Sequence, residues 1–158
     1  RYFIKKKDNK INDLSKNVKY EINKELKYGL NNFKTYRKFA EKVGNSKMKL
    51  LKIFQKLKKK KKKIIGYGAT AKSCTVLNYC RIDKKYIDYF YDTTSFKINK
   101  FLPGTKIEIK KYKKLKKKDA DYIFLGAWNF KEEIFKKEKK FIKNGGKFIT
   151  HVPIPKIF

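Results

Sequence analysis

The spacing of apolar residues along the chain changes near residue 63. Before that point, apolar side chains recur every three or four residues over 11–28 and 31–62, which predicts two amphipathic helices, with an interruption near Gly44 left open. After it, short apolar runs predict strands at 64–65, 86–91, 106–109, 120–126 and 147–152. Helices are predicted between most of them, at 71–79, 112–117 and 129–143. Residues 1–4 are also predicted to form a strand.

Alternation of strands and helices predicts an α/β fold, because parallel strands need crossover connections that usually contain helices. The expected architecture is a Rossmann-like, three-layer domain at 63–158, with a mostly parallel sheet of about five strands. Residues 1–62 would precede it as a strand remnant and a helical connector. Ligands of such sheets bind at the carboxyl ends of the strands. The predicted strands end near 66–68, 91–92, 126–129 and 151–153, and these ends would form one rim.

A glycine turn follows the first of these strands. Gly66-x-Gly68 leads through Ala69 into a predicted helix start, where glycines allow a ligand to approach the backbone and the helix N-terminus favours anions. Lys72 would add a positive charge. The pattern indicates a phosphate-bearing ligand, but it lacks the third glycine of the dinucleotide fingerprint, so a purely structural turn remains an equal alternative.

Other candidate site residues stand at later strand ends. Asp92 lies 24 residues beyond Gly68, where an acid can bind a ribose diol, or can simply close a turn. Trp128 could stack on a base or sugar, and Asn129 could bind one or cap the following helix. His151 ends the last strand and is a weak candidate for a catalytic base, since a lone histidine is more often structural.

The net charge of +31 raises the question of nucleic-acid binding. Of the 45 basic residues, however, only Arg1, Arg37 and Arg81 are arginine, the residue that specific base and phosphate contacts favour. Lysine, asparagine, isoleucine, phenylalanine and tyrosine all have AT-rich codons. A low-GC genome and a solvated surface therefore explain the charge better than an acidic partner, and nucleic acid is the least favoured of the three.

Other features narrow the class of protein. Cys74 and Cys80 lie six residues apart, which is not a zinc spacing, and both are predicted to be buried thiols of a cytoplasmic protein. No run of about 18 apolar residues predicts a membrane span. A first residue of Arg1 rather than Met indicates a piece of a longer protein. Glu132 and Glu133 are predicted to form surface pairs with the lysines four residues later.

Six phrases in order resemble one family, the C-terminal domain of S-adenosylmethionine-dependent sugar C-methyltransferases. Members act on nucleotide-linked deoxysugars. The resemblance extends from about residue 60 to 155, and the helical segment before it suits the family's connector. The phrases are Gly-Tyr-Gly-Ala-Thr-Ala-Lys at 66–72, Thr-Val-Leu-Asn-Tyr-Cys at 75–80, Leu-Pro-Gly-Thr at 102–105, Ala-Trp-Asn-Phe at 127–130, Gly-Gly-Lys-Phe-Ile at 145–149 and Val-Pro-Ile-Pro at 152–155.

The resemblance implies that this part of the enzyme binds a nucleotide-diphosphate sugar. The implied substrate-binding residues are Gly66, Tyr67, Gly68, Ala69, Lys72, Asp92, Trp128 and Asn129. No catalytic residue is implied here, and the methyl-donor cofactor S-adenosylmethionine would belong to other domains of the same protein, which also include a zinc-binding domain. The fragment alone is therefore expected to be inactive. Ser73 departs from the pattern, because the family has glycine there. A nucleotide- or NAD-binding regulatory domain without catalysis is the alternative.

Overall fold

A computed structural model describes residues 4–10 and 15–158 of the chain. They belong to two compact units, Arg1–Val43 and Gly44–Phe158. The boundary falls inside one long helix, so each unit contains part of it. The sequence-based division at residue 62 concerns a longer protein and stays a prediction.

The first unit contains helix α1 (Lys16–Lys27) and the start of helix α2 (Phe33–Lys59). Ser15 caps α1, because its Oγ accepts a hydrogen bond from the N–H group of Asn17 at 3.1 Å. The two predicted helices are confirmed over the described residues, and α2 continues through Gly44 without interruption. Residues 1–3 of the predicted first strand and 11–14 of the predicted first helix lie outside the described residues.

The second unit is built on a seven-stranded sheet in the order β3-β4-β2-β1-β5-β6-β7. The five inner strands are parallel, and the two outer strands, each of two residues, pair antiparallel with their neighbours. The predicted mostly parallel α/β fold is confirmed, with two short edge strands more than expected. The strands are β1 (Ile64–Tyr67), β2 (Tyr89–Asp92), β3 (Phe101–Leu102), β4 (Ile107–Lys111), β5 (Tyr122–Leu125), β6 (Lys147–Thr150) and β7 (Lys156–Ile157).

Helices pack on both faces of this sheet and give it three layers. Helix α3 (Ala71–Cys80) connects β1 to β2 and shares one apolar core with the C-terminal half of α2, through Leu77 and Phe54. Helices α4 (Lys131–Lys137) and α5 (Lys139–Lys143) connect β5 to β6. They bury Ile134 and Phe141 in a second core on the opposite face. Short 3₁₀ turns occupy Ser95–Lys97 and Trp128–Phe130.

Strands β1 and β5 mark the point at which the chain changes direction across the sheet. From β1 the sheet continues through β2 on one side, and from β5 it continues through β6 on the other. The two strands pair in parallel, with Gly66 opposite Phe124 and Tyr67 opposite Leu125. A crevice forms where neighbouring connections leave on opposite faces, and ligands of such sheets bind there. The fold therefore places the candidate site beyond Tyr67 and Leu125.

Several local predictions were wrong. The predicted helix at 112–117 is irregular chain, and the predicted helix at 129–143 is two helices separated by Glu138. Asn129 does not cap a helix, since Phe130 precedes α4 and provides no side-chain cap. Cys80 is buried as expected, but Cys74 is only partly buried, and both are free thiols. None of the described helices is long and apolar enough to cross a membrane.

Candidate binding site at the carboxyl end of the sheet

A cleft of about 470 Å³ opens at the carboxyl ends of the inner strands. Its wall comes from the ends of β1 and β2, from the chain after β4 and β5, and from one side of α4. A volume of this size is within the range of small-molecule sites. The lining residues that matter most for its chemistry are Tyr67, Asp92, Lys97, Tyr112, Glu133 and Lys137.

The glycine turn after β1 is packed tightly against the end of β5. Gly68 has a φ of +81°, a conformation that favours glycine, and its N–H group donates to the carbonyl oxygen of Tyr91 at 2.8 Å. A Cβ at this position would lie 2.5 Å from the Cβ of Ala127. Gly126 is equally constrained, because a Cβ there would meet the carbonyl oxygen of Gly68 at 2.3 Å. Small residues are therefore required where the two strand ends meet.

Three backbone N–H groups that follow this turn, those of Ala69, Thr70 and Ser73, have partners within the protein. Ala69 donates to Oδ2 of Asp92 at 2.8 Å. Thr70 and Ser73 form a capping box at the start of α3, in which each side-chain oxygen accepts from the other's N–H group, at 3.0 and 3.1 Å. Ser73, the departure from the family pattern, thus contributes a cap that glycine could not. Contact of this loop with phosphates stays a prediction.

Asp92 is buried and ionised at the base of the cleft. Its Oδ1 accepts from the N–H group of Thr94 at 2.8 Å, and Lys97 Nζ lies 3.5 Å from Oδ2. Burial pushes the pKa of this carboxyl upward, but the hydrogen bonds from Thr94 and Ala69 and the charge of Lys97 outweigh it, so the net pKa is below the usual value. Lys97 also donates to the carbonyl oxygen of Ala69 at 3.0 Å. The carboxylate therefore joins β2 to the glycine turn.

Aromatic rings form the floor of the cleft, with a buried carboxylate behind them. Tyr112 contacts Tyr67 and Tyr91 edge-on, with ring centres 5.5 and 6.2 Å apart. Its hydroxyl donates to Glu138 Oε1 at 2.5 Å, and the N–H group of Leu115 donates to Oε2 at 3.4 Å. Burial, and then the negative charge of Glu138, raise the pKa of Tyr67 to about 12. At neutral pH the floor therefore presents neutral phenol groups.

Helix α4 supplies one carboxylate and one ammonium group to the rim. Glu133 and Lys137 are four residues apart, yet no ion pair joins them within 4.0 Å among the described residues. Lys137 Nζ instead lies 3.9 Å from the ring centre of Tyr112. Glu132, the other acid of this turn, lies 3.5 Å from Lys131. The predicted pairing of these acids with lysines four residues later was wrong, and Glu133 is left facing the cleft.

Some of the predicted site residues lie in a second cluster, outside the cleft lining. Lys72 Nζ donates to Oδ1 of Asn129 at 3.0 Å and lies 5.1 Å from the ring centre of Trp128. The His151 ring contacts Trp128 edge-on, with ring centres 6.4 Å apart. The structure therefore brings Lys72, Trp128 and Asn129 together, but outside the lining of the cleft that contains Asp92, and their contact with a substrate stays a prediction. Of the other predicted residues, Tyr67, Gly68 and Asp92 line the cleft.

The remaining predicted residues shape the site from behind. Gly66 backs onto Phe90, whose ring atoms would lie 2.4 Å from an added Cβ. Ala69 is buried. His151 is 7% exposed and its Nδ1 has no hydrogen-bond partner among the described residues, while burial lowers its pKa to about 4. A neutral imidazole at physiological pH follows, and a catalytic role for it stays a prediction.

Sequence reasoning missed Lys97, Tyr112, Glu133 and Lys137 as residues of the cleft. Lys97 belongs to a short 3₁₀ turn, and Tyr112 belongs to irregular chain that had been predicted as helix. The two residues of α4 had been interpreted as members of a solvated helix surface. In the structure, Tyr112 lies beside the strand ends and contacts Lys137, and Lys137 and Glu133 both line the cleft. The spacing of residues along the chain gives no signal of the contact between Tyr112 and Lys137.

A doubly wound, mostly parallel sheet with a cleft at its switch point defines the class of Rossmann-like α/β domains, whose ligands bind at that position. A family model described as the C-methyltransferase C-terminal domain matches residues 1–153. The chain therefore belongs to this family, as the resemblance in the sequence indicated.

A curated relative gives the same assignment. The chain is 34% identical over 122 residues to C-methyltransferase NovU from Streptomyces niveus. The matched segment covers 77% of this chain and 29% of NovU. The chain thus corresponds to less than a third of that relative.

Proposed function

We propose that this chain is the C-terminal part of an S-adenosylmethionine-dependent C-methyltransferase and that it binds a nucleotide-diphosphate deoxysugar. The observation that carries the proposal is the cleft beyond Tyr67 and Leu125 in a chain of the C-methyltransferase family. The cleft combines ammonium groups, phenol rings and two carboxylates. Those are the groups that bind phosphates, rings and hydroxyls respectively.

Each group has a proposed role. Tyr67, Gly68 and Asp92 would form the wall against which the substrate lies, and Lys97 would oppose the charge of the diphosphate. The adjacent cluster would extend the site beyond the cleft, with Trp128 and Asn129 contacting a ring of the substrate and Lys72 its charge. Gly66 and Ala69 would contribute by shape, because a larger side chain at either position would disturb the turn.

The methyl donor would be bound by a part of the protein outside this chain. S-adenosylmethionine would supply the methyl group, and this chain would orient the sugar that receives it. Asp92, the acid that could hold a ribose diol, is buried and accepts from Ala69 and Thr94 with Lys97 nearby. The matched segment covers 29% of NovU, so a protein of that kind has further chain that could bind the methyl donor. The fragment by itself is therefore expected not to methylate its substrate.

The remaining domains of a longer protein are the proposed partners of the first unit. Large apolar side chains on its two helices are open to solvent, among them Ile22 at 50%, Phe39 at 65% and Phe33 at 79% exposure. Exposed apolar surface of this kind marks interaction sites. The chain accounts for only 29% of NovU, so a protein of that kind contains further chain that could cover these residues.

Calorimetric titration tests the proposal and separates it from the regulatory alternative. The chain should release or absorb heat with a saturable curve when dTDP-glucose or a GDP-linked sugar is added, because the cleft offers partners for each part of such a ligand. NAD should give no comparable signal. Tight binding of NAD together with no response to either nucleotide sugar would replace the proposal with an NAD-binding regulatory domain.

A further inference from the structure

The cleft contains one carboxylate without a partner on the protein. Asp92 accepts from two backbone N–H groups and lies beside Lys97, and Glu138 accepts from Tyr112 and Leu115. Glu133 also lines the cleft, but no hydrogen bond or ion pair engages its side chain among the described residues. Its side chain is exposed at the rim of the cleft, and a carboxylate there is satisfied by hydrogen-bond donors. Those donors must come from water or from a ligand.

The position of Lys137 explains why no ion pair engages the side chain of Glu133. On a helix, a glutamate and a lysine four residues later usually pair at the surface. Here the ammonium group of Lys137 lies over the ring of Tyr112, at 3.9 Å from its centre, and the pair is not made. The carboxylate of Glu133 therefore remains beside the phenol floor, where its charge also acts on Tyr67.

The surroundings of Glu133 favour neutral hydroxyl groups over phosphate at this end of the cleft. The negative charges of Glu133 and of the buried Glu138 act on Tyr67 together, and both would repel an anion. The phenol rings of Tyr67 and Tyr112 offer an apolar surface with polar edges. A carboxylate beside aromatic rings suits the hydroxyl groups and the C–H face of a sugar ring. The ammonium group of Lys97, beside the glycine turn, is the better place for phosphate oxygens.

We propose that Glu133 is a specificity-determining residue that accepts hydrogen bonds from a pair of neighbouring hydroxyl groups on the nucleotide sugar. The inference rests on the proposed function and goes beyond it by assigning a part of the ligand to one residue. The hydroxyl pair could be that of the ribose or that of the transferred sugar. Both present the same chemistry to the carboxylate, and ligands that lack one or the other distinguish them.

Whether Glu133→Gln strengthens or weakens ligand binding separates a hydrogen-bonding role of Glu133 from a purely electrostatic one. Glu133→Gln removes a negative charge from the cleft, which by itself would strengthen the binding of any diphosphate. Loss of a charge-assisted acceptor for hydroxyl groups would instead weaken binding by about tenfold or more, since such bonds contribute roughly 1.5–3 kcal/mol. Weaker binding of the variant therefore requires a direct contact that the charge alone does not predict.

Glu132→Gln is a matched control. Both acids lie in the first turn of α4, so the two substitutions remove the same charge from the same helix end. Glu132 differs in that its side chain is 90% exposed and lies beside Lys131, outside the cleft lining. Equal thermal stability of the two variants would show that any difference in affinity arises at the cleft.

The experiment titrates the unaltered chain and both variants with four ligands: UDP, dTDP, UDP-glucose and dTDP-glucose. We expect Glu133→Gln to weaken UDP-glucose by about tenfold, because that ligand carries both hydroxyl pairs, with Glu132→Gln unchanged. Weakening of UDP but not of dTDP would assign the hydroxyl pair to the ribose, because deoxyribose lacks it. Weakening of both sugar-linked ligands, with neither bare diphosphate affected, would assign it to the sugar.

Two other results have different meanings. In the first, the unaltered chain binds the nucleotide sugars, and Glu133→Gln binds them at least as tightly as Glu132→Gln does. The role proposed for Glu133 is then wrong, and the proposed function stands. Equal weakening of all four ligands, including dTDP, would also overturn it, because dTDP has no hydroxyl pair to lose. If the unaltered chain binds none of the four, both proposals fail.

Discussion

Replacing Phe54 with alanine should lower the free energy of unfolding of the second unit by about 3–5 kcal/mol. Phe54 lies on the C-terminal half of α2 and is fully buried. Its ring packs against those of Tyr86 and Phe124, with centres 6.0 and 5.8 Å away. Removal of the ring would leave a cavity between α2 and the sheet, which the surrounding side chains can fill only in part.

Urea unfolding followed by tryptophan fluorescence measures the free energy of unfolding of the second unit, because Trp128 is the only tryptophan of the chain and belongs to that unit. Phe39→Ala is the control on the same helix. Phe39 is 65% exposed, so its removal should change stability by about 0.5 kcal/mol or less. A loss below about 1 kcal/mol for Phe54→Ala would show that this half of α2 is not part of the core.

Replacing Gly68 with alanine should lower the free energy of unfolding by about 2–4 kcal/mol. One part of this loss is the backbone conformation, since φ is +81°. The other part is steric, because the new Cβ would lie 2.5 Å from the Cβ of Ala127 and 3.0 Å from its backbone nitrogen. To relieve the contact, the ends of β1 and β5 would have to separate. Affinity for nucleotide sugars should fall with it, since Gly68 lines the cleft.

Gly145→Ala isolates the conformational part. Its φ of +80° is nearly the same, but an added Cβ there would have no atom within 4 Å. That variant should lose only about 1–2 kcal/mol in the same urea experiment. If the two variants were equally stable, the contact between Gly68 and Ala127 would contribute nothing, and the tight junction of the two strand ends would not hold in solution.

Local patterns were enough to predict the inner strands and most helices. Gly66 and Gly68 marked the turn between β1 and α3. The edge strands β3 and β7 could not be predicted in the same way, because two residues show no periodicity. Their pairing with β4 and β6 depends on where those strands lie in the sheet.

The parts of the cleft that the sequence did not predict depend on contacts between segments distant along the chain. Tyr112 and Leu115 bind Glu138, more than twenty residues further along the chain, and this contact accompanies irregular structure where a helix was predicted. Glu138 itself lies at the break between α4 and α5. The exposure of Glu133 to the cleft depends on the same arrangement, since Lys137 contacts Tyr112 in place of Glu133. Helical spacing alone predicted a surface pair.

A crystal structure of the chain with dTDP-glucose bound would test the central claim most directly. We predict electron density for the nucleotide sugar in the cleft beyond Tyr67 and Leu125, with phosphate oxygens near Lys97 and hydroxyl groups within hydrogen-bond distance of Glu133. Density for the ligand at another surface, with this cleft filled by the protein's own side chains, would contradict the claim. The fold would then remain as described, and the binding role assigned to its cleft would be wrong.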